Sequence, residues 1–140
     1  MREPSHFRRV IGMIDPARQK AERSGRLAEW IALTVLTLKG YRVIATRQKT
    51  PLGELDLVCL KHQTVVIVEV KRRKTLIEGE WAVPAMAWQR IGRAAEIWLS
   101  KKGDRLYSAD RRFDLFLVAP GFRFCHNLDA WRPENPLTHG

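Results

Sequence analysis

Two acidic side chains stand inside otherwise apolar, strand-like runs. Asp56 lies in Gly53-Glu54-Leu55-Asp56-Leu57-Val58-Cys59-Leu60, and Glu69 in Thr64-Val65-Val66-Ile67-Val68-Glu69-Val70-Lys71. Burying a carboxylate is costly unless it is paired or meets a cation. If the two runs pair and bring Asp56 and Glu69 to a common side, the carboxylates repel, and the one ammonium of Lys71 offsets only part of the charge. A divalent cation removes the conflict. Mg²⁺ prefers hard oxygen ligands, commonly takes one or two protein carboxylates, and keeps waters while sharing substrate phosphate oxygens. The chemistry of such a centre is hydrolysis at phosphorus, because the ion acidifies water and offsets charge developing on the phosphoryl group. Lys71 then stands where it can orient the water or counter that charge. Alone, the Glu-x-Lys spacing fits an ordinary edge-strand ion pair. Asp56 on the preceding run shifts the reading towards a site.

These residues need a scaffold, and the flanking sequence supplies one. Two Leu- and Val-rich runs around Lys61-His62-Gln63 predict a β-hairpin. Alternation puts Glu54, Asp56 and Val58 on one face of the first strand, and Ile67, Glu69 and Lys71 on one face of the second. Ahead of it, the pattern Ala28, Ala32, Val35, Leu36 predicts a helix from 24 or 25 to 39, closed at Gly40. Residues 17–22 already favour helix, with Asp15 as N-cap and Pro16 at the first helical position. Glu29 rides on or beside the buried face, and its spacing alone suits a snorkelling edge residue or half of a salt bridge. A strand over 41–49 carries Arg47 and Lys49 at its end, followed by the turn Thr50-Pro51-Leu52-Gly53.

Past the hairpin, Lys71-Arg72-Arg73-Lys74 forms a basic rim, and 75–81 reads as a loop. A second helix over about 84–102 buries Ala87, Ile91, Ala94, Ala95, Trp98 and Leu99, leaving Gln89, Arg90 and Arg93 for a ligand. Trp88 suits packing, with base stacking as the alternative. The run 113–119 is apolar on both faces and so predicts a central strand. Arg112 and Asp114 share a face there, as an ion pair at the strand start or as a substrate-facing pair. A returning edge strand follows over 122–127, then a tail that Trp131 pins. His62 and His126 lack ligand-like spacing and read as structural or solvent-facing.

The net charge of +10 and isoelectric point near 10.3 favour an anionic partner, nucleic acid first. Membrane surfaces are polyanions too, and charge alone does not separate them. A 45% hydrophobic content excludes a disordered tail-like chain, and 140 residues suffice for one domain with its own core. The expected division is a basic N-terminal arm (1–23), an α/β domain (24–128) and a C-terminal tail (129–140). Cys59 and Cys125 read as small buried hydrophobes in a reducing compartment. No run is apolar enough to span a bilayer, and no apolar signal region precedes the domain, so a cytoplasmic location is expected. P-loop, dinucleotide fingerprint, nucleophile elbow and zinc-ligand spacings are all missing.

Gly53-Glu54-Leu55-Asp56, followed across the hairpin by Val68-Glu69-Val70-Lys71, resembles the core of the PD-(D/E)XK nuclease superfamily. The chain more closely resembles the YraN family, uncharacterised protein family 0102, a group of endonuclease-like bacterial proteins, from about residue 25 to 114, including Arg112-Phe113-Asp114. The resemblance implies a mixed central β-sheet flanked by helices, a restriction-endonuclease-like core. It implies a metal-dependent endonuclease that hydrolyses phosphodiester bonds, DNA favoured, with Asp56, Glu69, Lys71 and Glu29 catalytic. Mg²⁺ or Mn²⁺ would be held by Asp56, Glu69, Glu29 and the carbonyl of Val70. Arg47, Lys49, Arg72, Arg73, Lys74, Arg90 and Arg93 would hold the phosphate backbone. Many nucleases of this kind act as dimers, which leaves a homodimer open. The sequence departs from the family where Met86-Ala87-Trp88-Gln89 lacks the lysine common near the start of the second helix. Two other readings stand beside this one: a non-catalytic nucleic-acid-binding module with the nuclease fold, and a small protein whose basic face docks on an acidic protein or ribosomal RNA.

Overall fold

In the computed structural model the described residues are 16–77 and 82–133. Helix α1 spans Pro16–Leu38 and is followed by strands β1 (Arg42–Thr50), β2 (Gly53–Lys61) and β3 (Thr64–Arg72). Helix α2 (Ala85–Ser100) and the short α3 (Asp104–Tyr107) lead into β4 (Asp110–Ala119) and β5 (Arg123–Trp131). The five strands lie in chain order, antiparallel except for the parallel pair β3–β4. A parallel pair needs a long crossover, and α2 and α3 occupy it.

Each face of the sheet is covered by one long helix. Ala28, Ala32 and Leu36 of α1 pack on Leu57, Cys59, Val66, Val68, Phe116 and Val118. Ala94, Ala95, Trp98 and Leu99 of α2 pack on Val58, Val65, Ile67, Phe113, Leu115 and Leu117. Neighbouring residues of β3 and β4 thus join opposite cores, so both strands must be apolar on both faces. The fold is the expected α/β arrangement, a mixed sheet flanked by helices as in a restriction-endonuclease-like core. At the end of α1, Gly40 takes φ 89°, its amide bonds Thr37 O, and the Tyr41 amide bonds Leu36 O at 2.9 Å. This double closure turns the chain sharply from helix into β1.

Two boundaries and one short element differ from expectation. Helix α1 runs unbroken from Pro16 through the anticipated boundary at 23/24, the start that Pro16 at the first helical position favours. Strand β5 continues to Trp131, so the boundary at 128/129 falls inside a strand. The cause is aromatic packing: Trp131 stacks on Trp88 with ring centroids 6.0 Å apart and meets Phe113 edge-on at 5.1 Å. Trp88 is therefore buried in this stack and is not presented to a base, which corrects the stacking alternative. The third is α3, four residues that carry too little periodicity to be read from sequence. Residues 1–15 of the anticipated arm, 78–81 of the loop and 134–140 of the tail lie outside the described residues.

Candidate active site

Asp56 sits where the sheet comes apart. The β2–β3 ladder ends at Leu57–Val68, and beyond it Asp56 Oδ2 accepts the Val70 amide at 2.9 Å in place of a backbone carbonyl. On the other side the β1–β2 register passes from Thr46–Leu57 to Gln48–Leu55 across Arg47 and Asp56. Arg47 has φ 50°, a left-handed conformation costly for a residue with a Cβ. Leu57 joins the α1-side core, whereas Leu55 and Val58 both join the α2-side core. Strict alternation of Glu54, Asp56 and Val58 therefore fails: Leu55 has turned to the face of Val58, which leaves Glu54 on the opposite one. Gly53 opens β2 at φ 140°, and a side chain there would meet Arg90 Cδ at 3.7 Å, so Arg90 lies against the turn that leads into Asp56.

Glu69 remains in phase on β3. Ile67 packs on the α2 side while Val66, Val68 and Val70 pack on the α1 side, which puts Glu69 and Lys71 on the α2 side. Glu69 is only 8% exposed, hydrogen-bonds Asp56, and has its Oε1 3.3 Å from Lys71 Nζ. Burial pushes the Glu69 carboxyl up to about 8, the Asp56 charge adds to the rise, and Lys71 offsets only part of it. Asp56 is raised as well, first by burial and then by Glu29, against the Val70 amide and Lys71, which lower it. Asp56 and Glu69 therefore titrate as a pair rather than as two independent carboxyls.

Glu29 reaches this centre through its field. Its Oε2 accepts Arg47 Nε and Nη2, both at 2.6 Å, so it is half of a salt bridge while still acting on Asp56. Among the described residues no three His, Cys, Asp or Glu side chains are gathered as a metal cluster. The donors that do converge are two carboxylates from adjacent strands, within the number Mg²⁺ commonly takes from a protein. Burial raises both carboxyls and the Asp56 charge raises Glu69 further, a cost that a divalent cation would relieve, so the donor set is of the kind that Mg²⁺ or Mn²⁺ takes. Glu29, engaged by Arg47, belongs to the edge of that set.

Of the expected phosphate contacts, Lys49, Arg72, Lys74, Arg90 and Arg93 are exposed, and Arg47 is engaged by Glu29. Arg73 instead donates to the carbonyls of Arg72 and Ala82, at 2.8 and 3.0 Å, tying the end of β3 to the start of α2. Arg112 and Asp114 are a buried ion pair, with Nε to Oδ1 and Nη2 to Oδ2 both at 2.8 Å. Asp114 is fully buried and also accepts the Asp129 amide at 2.9 Å and His126 Nε2 at 2.7 Å. Lys39 Nζ, which has only protons to offer, lies 2.9 Å from His126 Nδ1, so Nδ1 accepts and Nε2 donates to Asp114. Tyr41 Oη caps the Arg112 guanidinium. His126 thus belongs to an internal network that no local spacing signals, since Tyr41 and Arg112 are 71 residues apart.

The sequence profile of the Uncharacterised protein family UPF0102 matches residues 28–118, a span that contains Glu29, Asp56, Glu69, Lys71 and Asp114. A UPF0102 protein of Chelativorans sp. (strain BNC1) is 48% identical over 74% of this chain and 83% of its own length. Those of Mesorhizobium japonicum (45% identical, 74% of this chain and 82% of its own) and Maricaulis maris (41%, 84% and 91%) are similar over comparable spans.

Proposed function

The chain belongs to the uncharacterised protein family UPF0102, and from that footing we propose that it is a metal-dependent endonuclease hydrolysing phosphodiester bonds in nucleic acid, DNA favoured. One observation carries the reading: Glu69, buried, and Asp56, half-buried, are held together on adjacent strands where burial disfavours both charges and the Asp56 charge disfavours Glu69 further, with one ammonium beside them. A purely structural pair has no reason to keep that conflict.

The donors for Mg²⁺ or Mn²⁺ are Asp56, Glu69 and the Val70 carbonyl, with Glu29 supporting from α1. The ion, when bound, supplies Lewis acidity that lowers the pKa of water and offsets charge on the phosphoryl oxygens. Asp56 is fixed for this role by the Val70 amide, which sets the orientation of its carboxylate. Binding the ion would release to solvent any proton held by the Asp56–Glu69 pair, so that both groups present anionic oxygens. Lys71 points its ammonium into the same space, where it orients the attacking water in line with the leaving oxygen and favours the anionic transition state. Lys49, Arg72, Lys74, Arg90 and Arg93 hold the backbone without reading sequence. Arg47 contributes only where it can leave Glu29.

The engagement of Glu29 by Arg47 favours one second reading, a nucleic-acid-binding module that does not cut. Incubation of the protein with linear, branched and single-stranded DNA and with RNA, in Mg²⁺, Mn²⁺ or EDTA, separates the two. We expect metal-dependent cutting that falls at least about 100-fold in Asp56→Asn and Lys71→Ala. Binding without cutting, unchanged in both variants, overturns the enzyme reading.

A further inference from the structure

A groove of about 410 Å³ runs between α1 and β1, lined by Arg26, Glu29, Trp30, Leu33, Arg47 and Leu57 with Thr46. Its four helix residues recur at i, i+3, i+4 and i+7, so one stripe of α1 builds a whole wall. Trp30 is 68% exposed, and among the described residues its ring meets no aromatic or cationic partner. Arg26 is likewise exposed and makes no ion pair among the described residues. Arg47 already neutralises Glu29, so the groove keeps a net positive charge from Arg26. Exposed Lys20 and Arg23 extend the cationic row along the helix towards its start. Its lining includes Glu29 and Leu57, the first acting on Asp56 through its field and the second adjoining it in the chain.

We propose that this groove is a nucleotide subsite in which Trp30 stacks on an unpaired base and Arg26 holds the neighbouring phosphate. An aromatic face beside a cation is how proteins take hold of single strands, because every base has a stacking face and every linkage a charge. A paired duplex keeps its base faces inside its own stack and cannot use Trp30 this way. An apolar peptide would leave Arg26 without a partner. Resting on the nucleolytic reading above, the subsite makes the substrate nucleic acid with an unpaired stretch next to the bond to be cut: a single strand, a flap or a frayed end.

The test is fluorescence anisotropy in EDTA, where no cutting occurs, with labelled oligothymidylate and a labelled blunt duplex as probes. The expected result is that Trp30→Ala weakens oligothymidylate binding about tenfold, that Trp30→Phe recovers most of it, and that duplex affinity changes less than about twofold. Arg26→Gln should weaken the single-strand complex and flatten its salt dependence. Equal oligothymidylate affinity in wild type and Trp30→Ala overturns the subsite, as does equal loss for both probes or Trp30-dependent self-association without DNA. The readout is independent of catalysis. Trp30-dependent binding by a protein that never cuts would sink the enzyme reading and keep the subsite, whereas cutting abolished by Asp56→Asn but indifferent to Trp30 would do the reverse.

Discussion

Carboxylates on the inner strands meet opposite fates in this molecule. Asp114 on β4 is fully enclosed yet satisfied: burial pushes its carboxyl up, but Arg112, His126 and the Asp129 amide together hold it below the usual carboxylate range. Asp56 and Glu69, on β2 and β3, are less enclosed yet unsatisfied, both raised by burial, with Glu69 raised further by Asp56 and Asp56 by Glu29. The first arrangement closes on itself and holds β5 to β4 through His126 and the chain at Asp129. The second leaves anionic oxygens short of positive charge at the point where β2 leaves β3. Enclosure alone does not mark a functional carboxylate; missing compensation does.

Removing the satisfied acid should have the largest effect. Asp114→Ala strands the Arg112 guanidinium and frees the Asp129 amide, so urea denaturation should show a loss of about 3–5 kcal/mol. A loss well under about 1 kcal/mol would break the contrast. Glu69→Gln should do the opposite in metal-free protein at pH 8. It removes an ionisation the fold opposes and should raise stability by something on the order of 1–3 kcal/mol, while abolishing metal-dependent cutting. A destabilised Glu69→Gln would mean that the ion pair with Lys71 outweighs the repulsion.

The pH dependence sharpens the same contrast with smaller steps. The Glu69 carboxyl is raised from 4.5 to about 8, so the folded state binds its proton more tightly than the unfolded chain does. Its stabilising contribution is full below pH 4.5 and is lost as pH rises towards 8, and Glu69→Gln should flatten that slope in EDTA. Asp114 is depressed below 3.8, so its contribution is present above that pH and is lost as pH falls through the folded value. Denaturation curves collected from acid to mild alkali read both arms. A single slope of one sign throughout would contradict the contrast.

Much of the scaffold was legible because its signals are local. Valine-rich runs around Lys61-His62-Gln63 give the hairpin, the Ala28, Ala32, Leu36 spacing gives the buried face of α1, and Gly40 gives its end. Asp56, Glu69 and Lys71 stood out because charge interrupts apolar strands, and the fold does bring them together. Alternation failed at Arg47 and Asp56, since a left-handed residue and a lost ladder pair turn the chain over without changing the composition. The Asp114 network was illegible for a different reason. Tyr41, Arg112 and His126 meet only after β4 and β5 have paired beside the end of α1, and no spacing within any one element records that. Trp131 looked like a tail residue because its partners Trp88 and Phe113 lie in distant segments.

Thermal unfolding with and without Mg²⁺ or Mn²⁺ tests the central claim most directly, because it reads whether the Asp56–Glu69 conflict is resolved by a cation independently of turnover. The wild-type midpoint should rise by roughly 3–5 °C with saturating ion, an increment that vanishes in Asp56→Asn and Glu69→Gln. No rise in the wild type, or the same rise in all three proteins, would contradict the assignment of these carboxylates to a metal-dependent site.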